Sequence, residues 1–394
     1  MSALAGHVIC GRAFRPFFLL AGVQAVLGVL IWLCVLRGIG PIPGWSTPIL
    51  WHAHEMIFGF AGAAIAGFLL TSVPVWTGRS ALTGGRLAGL AGLWIAGRIT
   101  VFLAASLPTP WIAAAIDVSY GVALAGVIAA PIFASGKRRN YVFPVLLGVF
   151  ALANGLCHIG ALGIWPEAAG LGTRLGVGVL VVLVSTLGGR LVPLFTSSAL
   201  ARSEREGEVD GEGDGEEGPD ELMNVVSRVV WADQAAGPAV VVALLADALW
   251  PGSIASGALA GVAGLIVAIR SSGWGLRWSV GDPLLWSMHV AYLWIPIGLL
   301  GLAASAFGLG LPRAFAVHAL TIGAIAGMIL AIMTRVVLGH TGRPMRAPRA
   351  IWIAYGLLHT SALMRSALVA VVPSWAGGLL LLSGGLFAIA FGIF

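Results

Sequence analysis

Charge is what this chain lacks. Of its 394 residues only 10% are charged, and Lys137 is the sole lysine; a soluble domain carries about 25%. That shortage excludes an ordinary solvated surface. Cysteine is scarce too. Cys10, Cys34 and Cys157 are scattered, odd in number and form no CxxC, which argues against a disulfide framework or a zinc knuckle. No CxxCH heme-attachment site, nucleotide-binding glycine loop or soluble electron-transfer domain is present. The first apolar run is long, follows Arg12 and Arg15 and has no clear small-residue cleavage site, so no cleavable signal peptide is expected.

What remains is apolar. Hydrophobic residues make up 59% of the chain and glycine contributes 56 positions; mean hydropathy is +0.97. Glycine at this density suits close packing of transmembrane helices. The expected fold is an all-α polytopic membrane protein with about twelve transmembrane helices in one bundle. The spans are 16–36, 53–76, 84–104, 110–135, 141–163, 174–196, 223–248, 252–272, 281–303, 312–337, 350–371 and 375–393, each near the ~20 residues that cross a bilayer. The net charge of +6 would suggest nucleic acid in a soluble protein. Here the basic residues lie between apolar spans. Arg12 and Arg15, then Arg79 and Arg86, Lys137 to Arg139, Arg202 and Arg205, Arg277, and Arg343, Arg346 and Arg349 fall in alternate connections. The positive-inside rule then puts both termini in the cytoplasm, and no nucleic-acid partner is expected.

One membrane domain, 1–394, is read as two six-helix halves, 16–196 and 223–393. The stretch 197–222 between them holds ten of the sixteen acidic residues, interleaved with glycine. High charge with low hydrophobicity predicts a disordered cytoplasmic linker, a spacer or a regulatory docking segment.

The chemistry gathers at histidine. His7 lies in the N-terminal tail and His340 at the end of the tenth span; His52, His54, His158, His289, His318 and His359 lie at membrane depth. Ionisable groups in a bilayer are expensive and mark function, and histidine is the commonest metal ligand. Depth arithmetic places at least four of the six in the outer half, from both halves of the chain, so a shared metal site at the bundle centre is expected. A packing histidine bonded to its own neighbour is the plainer alternative for each. His52 and His54 stand two residues apart, about 200° around a helix. They therefore serve centres on opposite sides, unless the helix starts after His54 and a loop brings both to one ion. Glu55 beside them is the proton-handling candidate, a metal ligand, a partner that fixes an imidazole, or simply an acid favoured at a helix N-terminus.

Arg98, Arg174, Arg313 and Arg365 map to outer ends of their helices, against the positive-inside bias. Asp117, Asp247 and Glu167 read as too few and too dispersed to answer them. The carboxylates of an anionic cofactor such as heme match the arginine fork; protein ion pairs and lipid headgroups are the alternatives.

Several stretches carry a family likeness. Phe14-Arg15-Pro16-Phe17-Phe18, Trp51-His52-Ala53-His54-Glu55-Met56, Gly67 to Arg79, Gly188-Gly189-Arg190 and the run from His318 to Pro344 closely resemble the NnrS family. The resemblance implies a multi-pass protein of the bacterial inner (cytoplasmic) membrane that contains heme b and copper. It also implies a place in the response to nitric oxide, in denitrification or nitrosative stress. A weaker likeness links the chain to the heme–copper oxidase and nitric oxide reductase superfamily, which also uses six histidines and a His-x-His pair. The order of histidines along this chain differs from that superfamily's, so ligand roles are not transferred. The leading expectation is an oxidoreductase that consumes nitric oxide, with electrons from quinol or a separate donor. A non-catalytic heme or metal protein that relieves nitric oxide stress is the second reading, and a solute transporter the third. Lipid surrounds the protein, and an oligomer is compatible with it.

Overall fold

The structure, a computed structural model, describes residues 8–40, 43–209 and 226–394. His7 and most of the acidic stretch fall outside the described residues. Those described form helices and no strand. The long helices are α1 Phe14–Leu36, α2 Pro48–Thr77, α3 Gly84–Phe102, α4 Trp111–Ser135, α5 Val142–Ala161 and α6 Glu167–Val209. They continue with α7 Val230–Leu249, α8 Ile254–Ser272, α9 Pro283–Ala306, α10 Arg313–His340, α11 Arg349–Leu363 and α12 Ala376–Ile393.

Ten of the expected spans are long and apolar enough to cross a membrane. The other two are α3 and α11. The first carries Arg86 and Arg98, and the second stops as an α-helix at Leu363, where a wider turn over Met364–Leu368 begins. α6 runs 43 residues, to Val209, so the stretch assigned to the linker opens as helix.

Local chemistry explains the helix ends. Thr47 accepts from the Leu50 amide ahead of Pro48, and Asp282 accepts from Leu284 ahead of Pro283, which pairs a side-chain cap with a proline at the first helical position. Trp111, Trp165, Trp231, Trp250, Trp278, Trp352 and Trp375 are exposed near helix ends, as in the aromatic belts of membrane proteins.

Three helices contain a π segment, in which the hydrogen-bond ladder widens to accommodate an extra residue. They cover Glu55–Ala61 in α2, Ala319–Ala326 in α10 and Met364–Leu368 after α11. The first two begin directly after a histidine, His54 and His318; the third begins five residues after His359.

The chain divides into two compact units. One comprises residues 1–180, 335–343 and 380–394, and the other 181–334 and 344–379. The division cuts α6 at residue 180, α10 at residue 334 and α12 at residue 379, so each of these helices contributes to both units. In the first unit α1 packs Phe17, Phe18, Ala21 and Ala25, all buried, beneath α2. In the second, α9 packs between α8 and α10.

Candidate metal centre

The first unit buries a polar cluster among α2, α3, α4 and α5. His54 ends the first α-helical stretch of α2 and Glu55 opens its π segment. Neighbours on a regular helix diverge by about 100°. Here both side chains enter one cluster, with His54 Nδ1 3.2 Å from Glu55 Oε1. Asp117 of α4 is the centre. Its Oδ2 lies 3.1 Å from His54 Nε2 and 3.0 Å from His158 Nε2, and it accepts from Asn154 Nδ2 at 3.0 Å. Asn154 Oδ1 also faces His54 Nε2 at 2.8 Å. Arg98 of α3 joins the two carboxylates, donating Nη1 to Glu55 Oε1 at 2.6 Å and Nη2 to Asp117 Oδ1. Gln24 of α1 donates to Glu55 Oε2 at 2.7 Å. Trp45, in the connection before α2, donates its indole N–H to His158 Nδ1 at 3.0 Å.

Every charged member is buried, and Arg98 is only 8% exposed. A guanidinium set against two carboxylates is what makes such burial tolerable. The donor set also suits a metal ion. A ring nitrogen of His54, a ring nitrogen of His158 and an Asp117 oxygen lie within 4.8 Å of one another. Ligands about 2.1 Å from an ion stand roughly 3.0–3.4 Å apart at square to tetrahedral angles, and the Asp117 oxygen has that spacing to both nitrogens. Glu55 against His54 Nδ1 is the carboxylate–imidazole contact that fixes a ligating ring; a metal at Nε2 would take the place of a hydrogen directed at Asn154 Oδ1 and Asp117 Oδ2. Two imidazoles and a carboxylate bind first-row transition metals.

The other sequence candidates lie elsewhere. His52 diverges from His54, as their spacing on a helix requires, and stacks on Trp32 of α1 at 4.6 Å. In the second unit His289, His318 and His359 each meet a different neighbour. His289 Nε2 meets Thr196 Oγ1 at 2.9 Å. His318 Nδ1 donates to the Ala314 carbonyl at 2.8 Å. That bond puts the ring hydrogen on Nδ1 and the lone pair on Nε2, the tautomer a ligating imidazole would need. His359 Nδ1 is buried with no hydrogen-bond partner among the described residues.

The arginine expectation needs correcting at two positions. Arg98 pairs with Glu55 and Asp117. Arg313 grips Asp247 through two bonds of 2.7 Å. The carboxylates thought too dispersed are thus their partners, and the protein ion pairs held open as an alternative are present at these two positions. Arg174 lies half-buried on α6, and Arg365 sits in the π segment after α11, within electrostatic reach of His318.

Asn154, Gln24 and Trp45 carry no signal in the sequence reading, and Asp117 enters it only as a carboxylate too dispersed to matter. Asp117 had a usable signal: it is the only charged residue in Trp111–Ser135, and a lone intramembrane carboxylate marks function. The Gly188-Gly189-Arg190 motif also gains a physical reading. The Arg270 guanidinium lies so close to Gly189 that an added Cβ would stand 2.1 Å from Nη2. Arg270 there joins Asp233, the Ser185 carbonyl and the Tyr292 hydroxyl.

Among curated proteins none matches the chain. The family described as NnrS protein matches residues 8–394. With that match over nearly its whole length, on helices that carry a buried His–Asp–His cluster, the chain belongs to the NnrS family of multi-pass membrane proteins tied to the nitric oxide response.

Proposed function

We propose that this protein is a heme- and copper-containing oxidoreductase of the bacterial inner membrane that reduces nitric oxide. The observation that carries the reading is the convergence of His54, Asp117 and His158 on one buried point. His54, His158 and Asp117 would hold copper there, and His318 and His359 of the second unit keep a ring nitrogen suited to heme iron. When bound, these metals supply the two electrons that, with two protons, turn two NO into N2O and water. The chain's own residues do the rest. Glu55 orients His54 through Nδ1 and holds a carboxylate where a proton can be passed. Arg98 keeps both carboxylates charged-paired inside the bilayer, and the apolar walls of α2 and α5 exclude water. Quinol or a separate protein donor delivers the electrons.

The test is anaerobic NO consumption by the purified, metal-loaded protein with a chemical reductant. Turnover that His54→Ala removes is expected; absence of turnover in a protein carrying full heme and copper overturns the reading. One observation favours a non-catalytic alternative: both oxygens of Glu55 and both of Asp117 already meet protein donors. A network closed in this way also suits a protein that binds metal without turnover, and the same assay separates the two.

A further inference from the structure

We infer that Trp45 governs metal uptake at the His54–Asp117–His158 centre by dictating which nitrogen of His158 carries the ring hydrogen. The inference rests on the metal-site reading above and deepens it.

The two imidazoles are not equivalent. A ring that ligates through Nε2 carries its hydrogen on Nδ1 and needs an acceptor there. His54 has one, Glu55 Oε1 at 3.2 Å. His158 has the opposite: the Trp45 indole, a donor that cannot accept, points its N–H at His158 Nδ1 from 3.0 Å. While that bond stands, Nδ1 must offer its lone pair. The ring hydrogen then sits on Nε2 and points at Asp117 Oδ2, 3.0 Å away. That is the position a metal needs. His54 has acceptors at both ring nitrogens, so its hydrogen on Nδ1 is supported in either state; His158 alone is held out of ligation until Trp45 lets go.

Trp45 is seated to do this. It lies in the connection between α1 and α2 yet is only 7% exposed. Its ring covers His54 at 4.4 Å and meets His158 edge-on at 5.2 Å. Gly44 makes the seat possible: a Cβ there would stand 2.2 Å from the Ala105 Cβ, so the connection lies flat on the Ala104–Ser106 turn and the indole reaches inward. Rotation of one side chain releases Nδ1, lets the hydrogen move to it and uncovers the centre.

The experiment titrates Cu2+ into the chelator-stripped, full-length protein in detergent and reads affinity together with nitrogen hyperfine coupling by EPR. Wild type should bind one copper in a manner that His54→Ala abolishes. Trp45→Phe keeps an aromatic cover and removes the opposing N–H, so copper should bind about tenfold tighter, the equivalent of one hydrogen bond no longer broken, with coupling to two imidazoles. In a His158→Gln background the same change should leave affinity unmoved, because no ring hydrogen remains to be placed. Equal or weaker binding by Trp45→Phe, or an equal gain without His158, overturns the inference while the metal site stands. Copper binding that ignores His54 and Asp117 overturns the metal site itself. Gly44→Ala guards against a variant that fails to fold: its methyl lifts the connection off Ala105, and the same gain is expected.

Discussion

Each unit buries one dense polar cluster, and the two are built for different ends. In the first, the oxygens of Glu55 and Asp117 face imidazole nitrogens, and Arg98 stands behind them. In the second, Arg270 is the hub, bonded to Asp233, the Ser185 carbonyl and Tyr292, with Trp274 5.6 Å beneath its guanidinium. Among the described residues no imidazole joins it, and the three histidines of that unit each meet a different neighbour. A cation already fixed in the chain ties helices together and leaves nothing for an ion to replace. Imidazole hydrogens aimed at a carboxylate can be replaced. Buried polarity is therefore a poor guide to function until the donor types are known.

The sharpest way to break this comparison is to count copper. His54→Ala should remove one tightly bound equivalent, and His289→Ala, in the other unit, should remove none, measured by elemental analysis after gel filtration. Copper lost equally from both would merge the two regions into one site. Next in size is the cost of stranding charge. Arg98→Met leaves Glu55 and Asp117 buried without their shared cation, and should cost about 3–5 kcal/mol of stability in detergent. Arg270→Met should cost less, because Arg228 still bonds Asp233 at 2.8 Å and that carboxylate is partly exposed. Denaturant melts of the two variants rank them, and the reverse order would refute the assignment of roles. Gly189→Ala follows. Its methyl meets the Arg270 guanidinium, and overpacking of this kind costs about 1–3 kcal/mol while copper content stays at the wild-type level.

These contrasts show where the sequence was readable. Helix number and approximate span came from apolar length and the alternation of arginines, because the bilayer fixes both. The π segments were invisible: one inserted residue shifts the ladder without disturbing an apolar run such as Glu55–Ala61. The Arg98–Asp117 pair was within reach. Arg98 lies four residues before the end of α3, and Asp117 six after the start of α4, so a short connection puts them at nearly one depth. Depth says nothing about which helices adjoin, however, so the expectation that at least four of the six histidines share the outer half does not single out His54 with His158. Trp45 was hidden for another reason: a connection between spans reads as solvent-exposed, and nothing in its composition announces an indole turned inward.

The smallest predicted effect tests whether location or pairing sets the value of an ion pair. Arg313 and Asp247 form the best-aligned pair in the second unit, with two parallel bonds of 2.7 Å. By geometry alone it should rival Arg98 with Asp117. Arg313, however, is 35% exposed at the start of α10, where Arg98 is 8% exposed. Asp247 itself is buried at 8%, but water and headgroups reach Arg313, which places the pair between the roughly 0.2–1 kcal/mol of exposed pairs and the cost of stranding a sealed charge. Arg313→Ala should therefore shift the melting midpoint by a small amount, well below that of Arg98→Met under the same conditions. A loss as large as that of Arg98→Met would mean that Asp247 is sealed from solvent once the protein sits in its bilayer. The second unit would then hold another buried charge centre besides the Arg270 cluster, and the contrast between the two units would rest on imidazole alone.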